Sequence, residues 1–219
     1  MTDQSRVLLV EGENDRAFLE ALCVKLDIYA RVRVAPPKEV GGCHNSKQGV
    51  LNHLKNVMLP QLRDGQLTSL GIVVDADSPP NGGVDETIAL VERIVQMEGY
   101  SAPTSEVGGL IFPHEDGLPD FGLWVMPDNM RNGMLEDLVS DAVGADEQEL
   151  FNHARTVVDS LPEPRRFKPL HQSKAHVATW MAWQRSPGHG LYRAMEDDLL
   201  DLQAPGMVKL TAWMRHLFA

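Results

Sequence analysis

Short runs of consecutive apolar residues alternate with longer amphipathic segments in the first part of the chain. Residues 7–10 and 70–74 are apolar throughout, and two further apolar runs occupy 110–112 and 121–126. Continuous runs of this kind are typical of strands that are buried on both faces of a parallel sheet. Residues 29–35 alternate instead and are rich in β-branched side chains, which predicts another strand.

The segments between and after these strands have the residue spacing of amphipathic helices. The first predicted helix begins near residue 14. The others cover 48–59, 85–98, 134–143, 147–161, 173–184 and 205–218. Strands that alternate with helices predict an α/β, Rossmann-like fold, in which helices cover both faces of a mostly parallel sheet of four to five strands. We expect this domain to span 1–143, with a helical C-terminal extension, 144–219, packed on it.

Composition and charge narrow the possible classes of protein. The 219 residues are 43% hydrophobic and 23% charged, which is typical of a globular domain with a sizeable core. No apolar run has the length of a membrane helix, no secretory signal is recognisable, and two isolated cysteines exclude a disulfide scaffold. We therefore expect a cytoplasmic protein that does not associate with a membrane.

The charge is unevenly distributed along the chain. The net charge is −11; residues 1–150 hold 25 acidic and 11 basic residues, whereas 151–219 hold 6 acidic and 9 basic residues. An acidic body with a basic C-terminal region is compatible with a metal-loaded carboxylate site in the first part and phosphate contacts from the second. Chance and solvated helix faces are the simpler explanation.

Carboxylates follow the predicted strands where a parallel sheet binds its ligands. Glu11 comes directly after the first strand, and Asp75 and Asp77 end the third. Asp15 lies one helical turn beyond Glu11, so it can face the same cleft. Converging carboxylates repel one another unless a cation lies between them, and hard oxygen ligands suit Mg²⁺ or Mn²⁺.

The two acidic strand ends resemble the pattern of a known family. The segments VLLVEGENDRAF and GIVVDADS, with Glu11-Gly12 and Asp75/Asp77, resemble the Toprim domain of topoisomerases, primases and OLD-family (overcoming-lysogenisation-defect) nucleases. The resemblance covers about residues 5–140. The stretch MPDNMRNGMLEDLV is also similar to small stand-alone bacterial Toprim-like proteins.

This resemblance implies divalent-metal-dependent hydrolysis of phosphodiester bonds in nucleic acid, with one or two Mg²⁺ or Mn²⁺ ions. Asp75 and Asp77 would hold the first ion and Asp15 and Glu136 the second. Glu11 would be a ligand or a general base that acts through water. OLD-type nucleases also place a lysine beside the active site, and we assign that role to Lys174.

Two further groups of residues are candidates for contacts with phosphate. The glycine-rich loop after the second strand contains Gly41, Gly42 and Lys47, whose backbone N–H groups and ammonium could bind a phosphate. Arg165, Arg166 and Lys168 begin the basic cluster of the C-terminal region and are candidates for binding nucleic acid. An ordinary flexible loop and a solvated basic surface are the alternatives.

Alternatives also remain for the acidic residues and for the whole protein. Asp75 and Asp77 could cap the following segment, and Asp15 could simply favour the start of its helix. A non-catalytic Toprim-like module that binds a metal or nucleotide and regulates a partner protein is the second interpretation. A receiver-like signalling domain is the third, although Gly12 interrupts the acidic pair that such domains carry after their first strand. The sequence contains no P-loop motif, so an ATPase activity would have to come from a partner protein. A partner ATPase and a second copy of the chain, forming a homodimer, are therefore the candidate protein partners.

Overall fold

A computed structural model of the protein describes residues 4–36, 46–76 and 82–218. The strands in these ranges are β1 (Arg6–Val10), β2 (Arg31–Val34), β3 (Ser69–Asp75), β4 (Leu110–Phe112) and β5 (Phe121–Met126). The helices are α1 (Glu13–Leu26), α2 (Lys47–His53), α3 (Leu59–Arg63), α4 (Val84–Gln96), α5 (Leu135–Asp141), α6 (Gln148–Asp159), α7 (Gln172–Ala182), α8 (Tyr192–Glu196) and α9 (Pro205–Phe218). A π-helical segment, Leu54–Met58, joins α2 to α3, and short 3₁₀ turns cover Ala145–Glu147 and Pro169–His171.

The five strands form one mostly parallel sheet, as the sequence predicts, and their order across it is β2-β1-β3-β5-β4. β4 alone is antiparallel, and it pairs with β5 at one edge of the sheet. Val10 at the end of β1 is in register with Val73, and Asp75 is in register with Met126. The carboxyl ends of β1, β3 and β5 therefore lie side by side, where an α/β sheet binds its ligands.

Helices cover both faces of the sheet, and alternate residues of each strand enter two separate cores. Leu8 and Val10 face a core shared with α1, α5 and the helices that follow residue 143. Val7 and Leu9 face the other core, with the helical segments from α2 to α4. This alternation explains the continuous apolar runs, because both faces of the strands are buried.

The last helix lies unusually close to the sheet. Gly71 of β3 and Gly122 of β5 are neighbours across the sheet, and a Cβ atom on them would lie 2.6 and 2.5 Å from Cδ2 of Leu217. A Cβ on Gly109 would lie 2.3 Å from Cδ1 of Trp213. The glycines thus form a trough that admits the α9 side chains, and the region after residue 143 shares its core with the sheet.

None of the helices in the described ranges has the length and hydropathy needed to cross a membrane.

Candidate functional site

A cleft of about 370 Å³ opens at the carboxyl ends of β1 and β3. Four of the candidate carboxylates and the candidate lysine line it: Glu11, Asp15, Asp75, Glu136 and Lys174. A fifth carboxylate of the lining, that of Glu13, forms an ion pair of 2.6 Å with Arg16, and the remaining lining residues are Gly12, Asn14 and Leu135. Five of the residues that we predict to be functional are therefore neighbours in the folded protein.

The ends of β1 and β3 are tied together by Glu11. The backbone N–H of Asp75 donates a hydrogen bond of 2.9 Å to Oε1 of Glu11. Asp75 is partly exposed as a residue, but its Oδ1 atom is buried and has no hydrogen-bond partner among the described residues. A buried carboxylate oxygen without a partner is costly, so it marks a place where a cation or proton would be bound favourably.

Asp15 caps the start of α1 and also lines the cleft. Its Oδ2 accepts a hydrogen bond of 3.1 Å from the backbone N–H of Gly12, at the start of α1. This capping contact stabilises the first turn of α1 and holds the carboxylate towards Glu136. Burial, and then repulsion by Glu136, raise the pKa of Asp15 above its usual range.

Asp137, a residue that our sequence analysis does not single out, joins the start of α5 to the start of α7, the helices that carry Glu136 and Lys174. Asp137 accepts a hydrogen bond of 2.8 Å from the backbone N–H of Met134 and caps α5. Its other oxygen accepts a hydrogen bond from the hydroxyl of Ser173, next to Lys174 on α7. The ammonium of Lys174 then lies 3.5 Å from Oε1 of Glu136, which is only 7% exposed. An acidic residue at the third position of a helix is a recognisable capping signal, but the contact with Ser173 is visible only in the structure.

The cleft concentrates negative charge. Burial, together with repulsion by Glu11, Asp15 and Glu136, raises the pKa of Asp75 well above its usual range, while Lys174 lowers it. One ammonium cannot balance four carboxylates, so the cleft must take up protons or additional cations. The donor set consists of carboxylate oxygens, which are the ligands that Mg²⁺ and Mn²⁺ prefer.

The donor atoms are not gathered around a common point. Within the described ranges, no group of three or more His, Cys, Asp or Glu side chains is arranged to hold a metal ion as it stands. Binding would therefore require the side chains of the cleft to rotate towards a shared ion. The chemistry of the donors and the unpartnered Oδ1 of Asp75 fit a divalent cation, whereas the present orientations do not yet enclose one.

The remaining predicted residues lie elsewhere. Asp77, Gly41 and Gly42 fall outside the described residues. Lys47 donates hydrogen bonds of 3.1 Å to the carbonyl of Ala76 and 3.0 Å to the hydroxyl of Thr87, so it supports the chain just after Asp75.

The predicted basic cluster also lies apart from the lining of the carboxylate cleft. Arg165 forms an ion pair of 3.1 Å with Glu163 and donates to the carbonyl of Asp159. Arg166 and Lys168 are exposed. They stay candidates for contacts with a longer ligand that extends beyond the cleft.

Comparison with known protein families gives one match. The model of a family described as protein of unknown function, DUF3226, matches residues 5–219. The chain belongs to DUF3226. No curated protein and no solved structure matches it. Because the match spans both the sheet and the helices after residue 143, the DUF3226 region contains every residue that lines the carboxylate cleft.

Proposed function

We propose that this DUF3226 protein is a divalent-metal-dependent phosphodiesterase that acts on nucleic acid. The observation that carries the proposal is that four candidate carboxylates and one lysine line the same cleft, with the buried Oδ1 of Asp75 unpartnered among the described residues. Such a cluster is costly without a counterion, and active sites are where proteins retain arrangements of this kind. The resemblance of both acidic strand ends to the Toprim domain supports the same chemistry.

The side chains of the cleft divide into two groups of ligands. Asp75 would hold one Mg²⁺ or Mn²⁺ ion, together with Asp77, which lies outside the described residues; Asp15 and Glu136 would hold a second. When bound, such ions activate water and stabilise the leaving oxygen of a phosphodiester. Glu11, which accepts a hydrogen bond from the backbone of β3, would act as a further ligand or as a general base through water.

Lys174 supplies the positive charge that a phosphate group requires. Its side chain is half-exposed, and its ammonium contacts Glu136 at the rim of the cleft. From there it can donate to a non-bridging phosphate oxygen, where negative charge increases during the displacement. Removal of this ammonium would raise the barrier to the reaction without removing the metal ligands.

Calorimetric titration with Mn²⁺ and Mg²⁺, combined with cleavage of plasmid and oligonucleotide on the same samples, tests the proposal. The parent should bind the ions and cleave, and Asp75→Asn should lose both properties. Asp116→Asn is the matched control, because Asp116 is an exposed carboxylate of the loop between β4 and β5. Failure of the parent to bind either ion would make the carboxylate cluster structural and overturn the proposal.

Binding of metal without cleavage would favour the second interpretation, a regulatory module that acts with a partner protein. Repeating the assay with a candidate ATPase distinguishes an incomplete enzyme from a non-catalytic one. The absence of cleavage in both assays would refute phosphodiester hydrolysis as the function.

A further inference from the structure

A second groove, of about 440 Å³, adjoins the carboxylate cleft. The two share Asn14, Glu136 and Lys174 as a common wall. Beyond this wall the lining changes from charged to apolar. Ligand sites typically combine such an apolar surface with a few polar groups at one end.

The apolar part of the groove is formed by one face of α7 and by the loop before α8. Val177, Ala178 and Met181 lie on the helix side, and His189 and Leu191 lie on the loop side. Val177 and Met181 are buried, so they provide a firm floor, whereas Ala178 is exposed and small, which leaves the groove open.

An aromatic ring stands at the loop side of this groove. The imidazole of His189 is exposed, and its Nδ1 lies 3.2 Å from the hydroxyl of Tyr192, within hydrogen-bond distance. The two rings also meet edge to face, with their centroids 6.5 Å apart. Tyr192 thus supports the exposed His189 ring at the rim of the groove.

We propose that this apolar groove holds the nucleobase of the nucleotide whose phosphate lies at the carboxylate cleft. A nucleotide joins a charged phosphate to a flat and largely apolar base, and the two adjoining clefts offer matching surfaces on either side of Lys174. Bases stack on aromatic and apolar side chains with little regard to sequence. This inference rests on the proposed function, because it takes the phosphate to be bound by the carboxylates, their ions and Lys174.

The test compares binding of a fluorescently labelled oligothymidylate with binding of an abasic oligonucleotide of the same length. Both carry the same phosphates, so the difference in their affinities reports the bases alone, provided that the salt concentration is fixed. Fluorescence anisotropy is measured in Ca²⁺, which takes the same oxygen ligands as Mg²⁺ and permits a readout that is independent of cleavage. The parent should prefer the oligothymidylate by about tenfold, the size expected for one stacked base.

Filling the groove should remove this preference. Ala178→Phe places a large side chain in the groove from an exposed helix position, and it should reduce the preference to about twofold or less while leaving the affinity for the abasic strand unchanged. Ala89→Phe, at an exposed position of α4 that lines neither cleft, is the matched control and should behave as the parent. His189→Ala removes the ring without adding bulk and should weaken the preference in part, which guards against a folding defect of Ala178→Phe.

The other outcomes overturn the inference and identify what fails. If Ala178→Phe and His189→Ala both retain the preference, the base is bound elsewhere. If the parent binds both strands equally in a Ca²⁺-dependent manner, the groove serves another ligand, such as an apolar segment of a partner protein, while the proposed function stands. If the parent binds neither strand, the inference and the proposed function both fail.

Discussion

Replacing Asp75 with Asn should stabilise the metal-free protein and abolish the stabilisation that Mn²⁺ gives to the parent. The buried Oδ1 of Asp75 has no hydrogen-bond partner in the described ranges, and Glu11, Asp15 and Glu136 repel its charge. The Asn side chain carries no charge, and its amide can donate to these neighbouring carboxylates. The substitution therefore replaces repulsion with hydrogen bonding while it keeps the size of the side chain.

The expected gain is about 1–3 kcal/mol in the free energy of unfolding, the usual cost of a buried polar group without its partner. For a chain of this size each kcal/mol moves the Tm by about 2–4 °C. Mn²⁺ at about 100 times its Kd should stabilise the parent by about 2.7 kcal/mol, because it binds only the folded state. Asp75→Asn should show no such gain, so the order of the two Tm values should reverse or nearly reverse when the chelator is replaced by Mn²⁺.

The pH dependence gives an independent check on the same reasoning. Because the pKa of Asp75 is raised in the folded state, the folded protein binds this proton more tightly than the unfolded chain. The resulting stability is fully present below the ordinary pKa of 3.8 and is lost as the pH rises through the raised value. The metal-free parent should therefore lose more stability than Asp75→Asn as the pH rises through this range.

Thermal unfolding of the parent, Asp75→Asn and the Asp116→Asn control, in chelator and in Mn²⁺ over a range of pH, measures all three effects. A lower Tm for Asp75→Asn than for the parent in chelator at neutral pH, with the control unchanged, would refute the argument from repulsion. The Asp75 carboxylate would then have a stabilising partner, and the cleft would not be an electrostatically strained site.

Two further predictions concern the supports of the site and of the sheet. Asp137→Ala should lower the free energy of unfolding, measured in urea, by about 1–2 kcal/mol, because it removes the α5 cap. It should also reduce cleavage by more than it reduces Mn²⁺ binding, because Asp137 bonds Ser173, the residue before Lys174 on α7. Unchanged cleavage would exclude this positioning role. Gly122→Ala should destabilise the protein by about 1–3 kcal/mol, since its Cβ would lie 2.5 Å from Cδ2 of Leu217. Leu217→Ala should then lower the free energy of unfolding by less in the Gly122→Ala protein than in the parent. Strictly additive losses would show that the two sites do not touch.

The sheet could be predicted from the sequence because its strands are buried on both faces. β1, β3 and β5 appear as continuous apolar runs, and α9 occupies the predicted range 205–218. α8 was missed because five residues are too few to establish a helical period. The predicted helix 48–59 extends instead to Arg63 through a π-helical segment, and Pro60, which lacks an N–H, lies in the first turn of α3 after that segment.

The composition of the candidate site could be predicted, but its supports could not. Glu11 and Asp75 follow parallel strands, whose carboxyl ends share one edge of the sheet, and in the structure β1 and β3 are neighbours and the two residues are hydrogen-bonded. The contact between Asp137 and Ser173 joins residues 36 positions apart and depends on how α7 packs, which no local pattern encodes. Lys47 is a second example, because its place after a glycine-rich loop predicts a phosphate contact but does not indicate that its ammonium also donates to Ala76 and Thr87.

The trough of glycines beneath α9 limits how this protein could be divided or recombined. Gly71 and Gly122 leave part of the sheet surface without side chains, and Trp213 and Leu217 fill that space. A fragment that stops at residue 143 would expose this bare backbone to solvent and would also leave behind Lys174, the one cation among the described lining residues of the carboxylate cleft. The sheet and the helices that follow it must therefore stay together in any functional fragment. Grafting the acidic strand ends alone onto another protein would transfer the carboxylates without the lysine beside them.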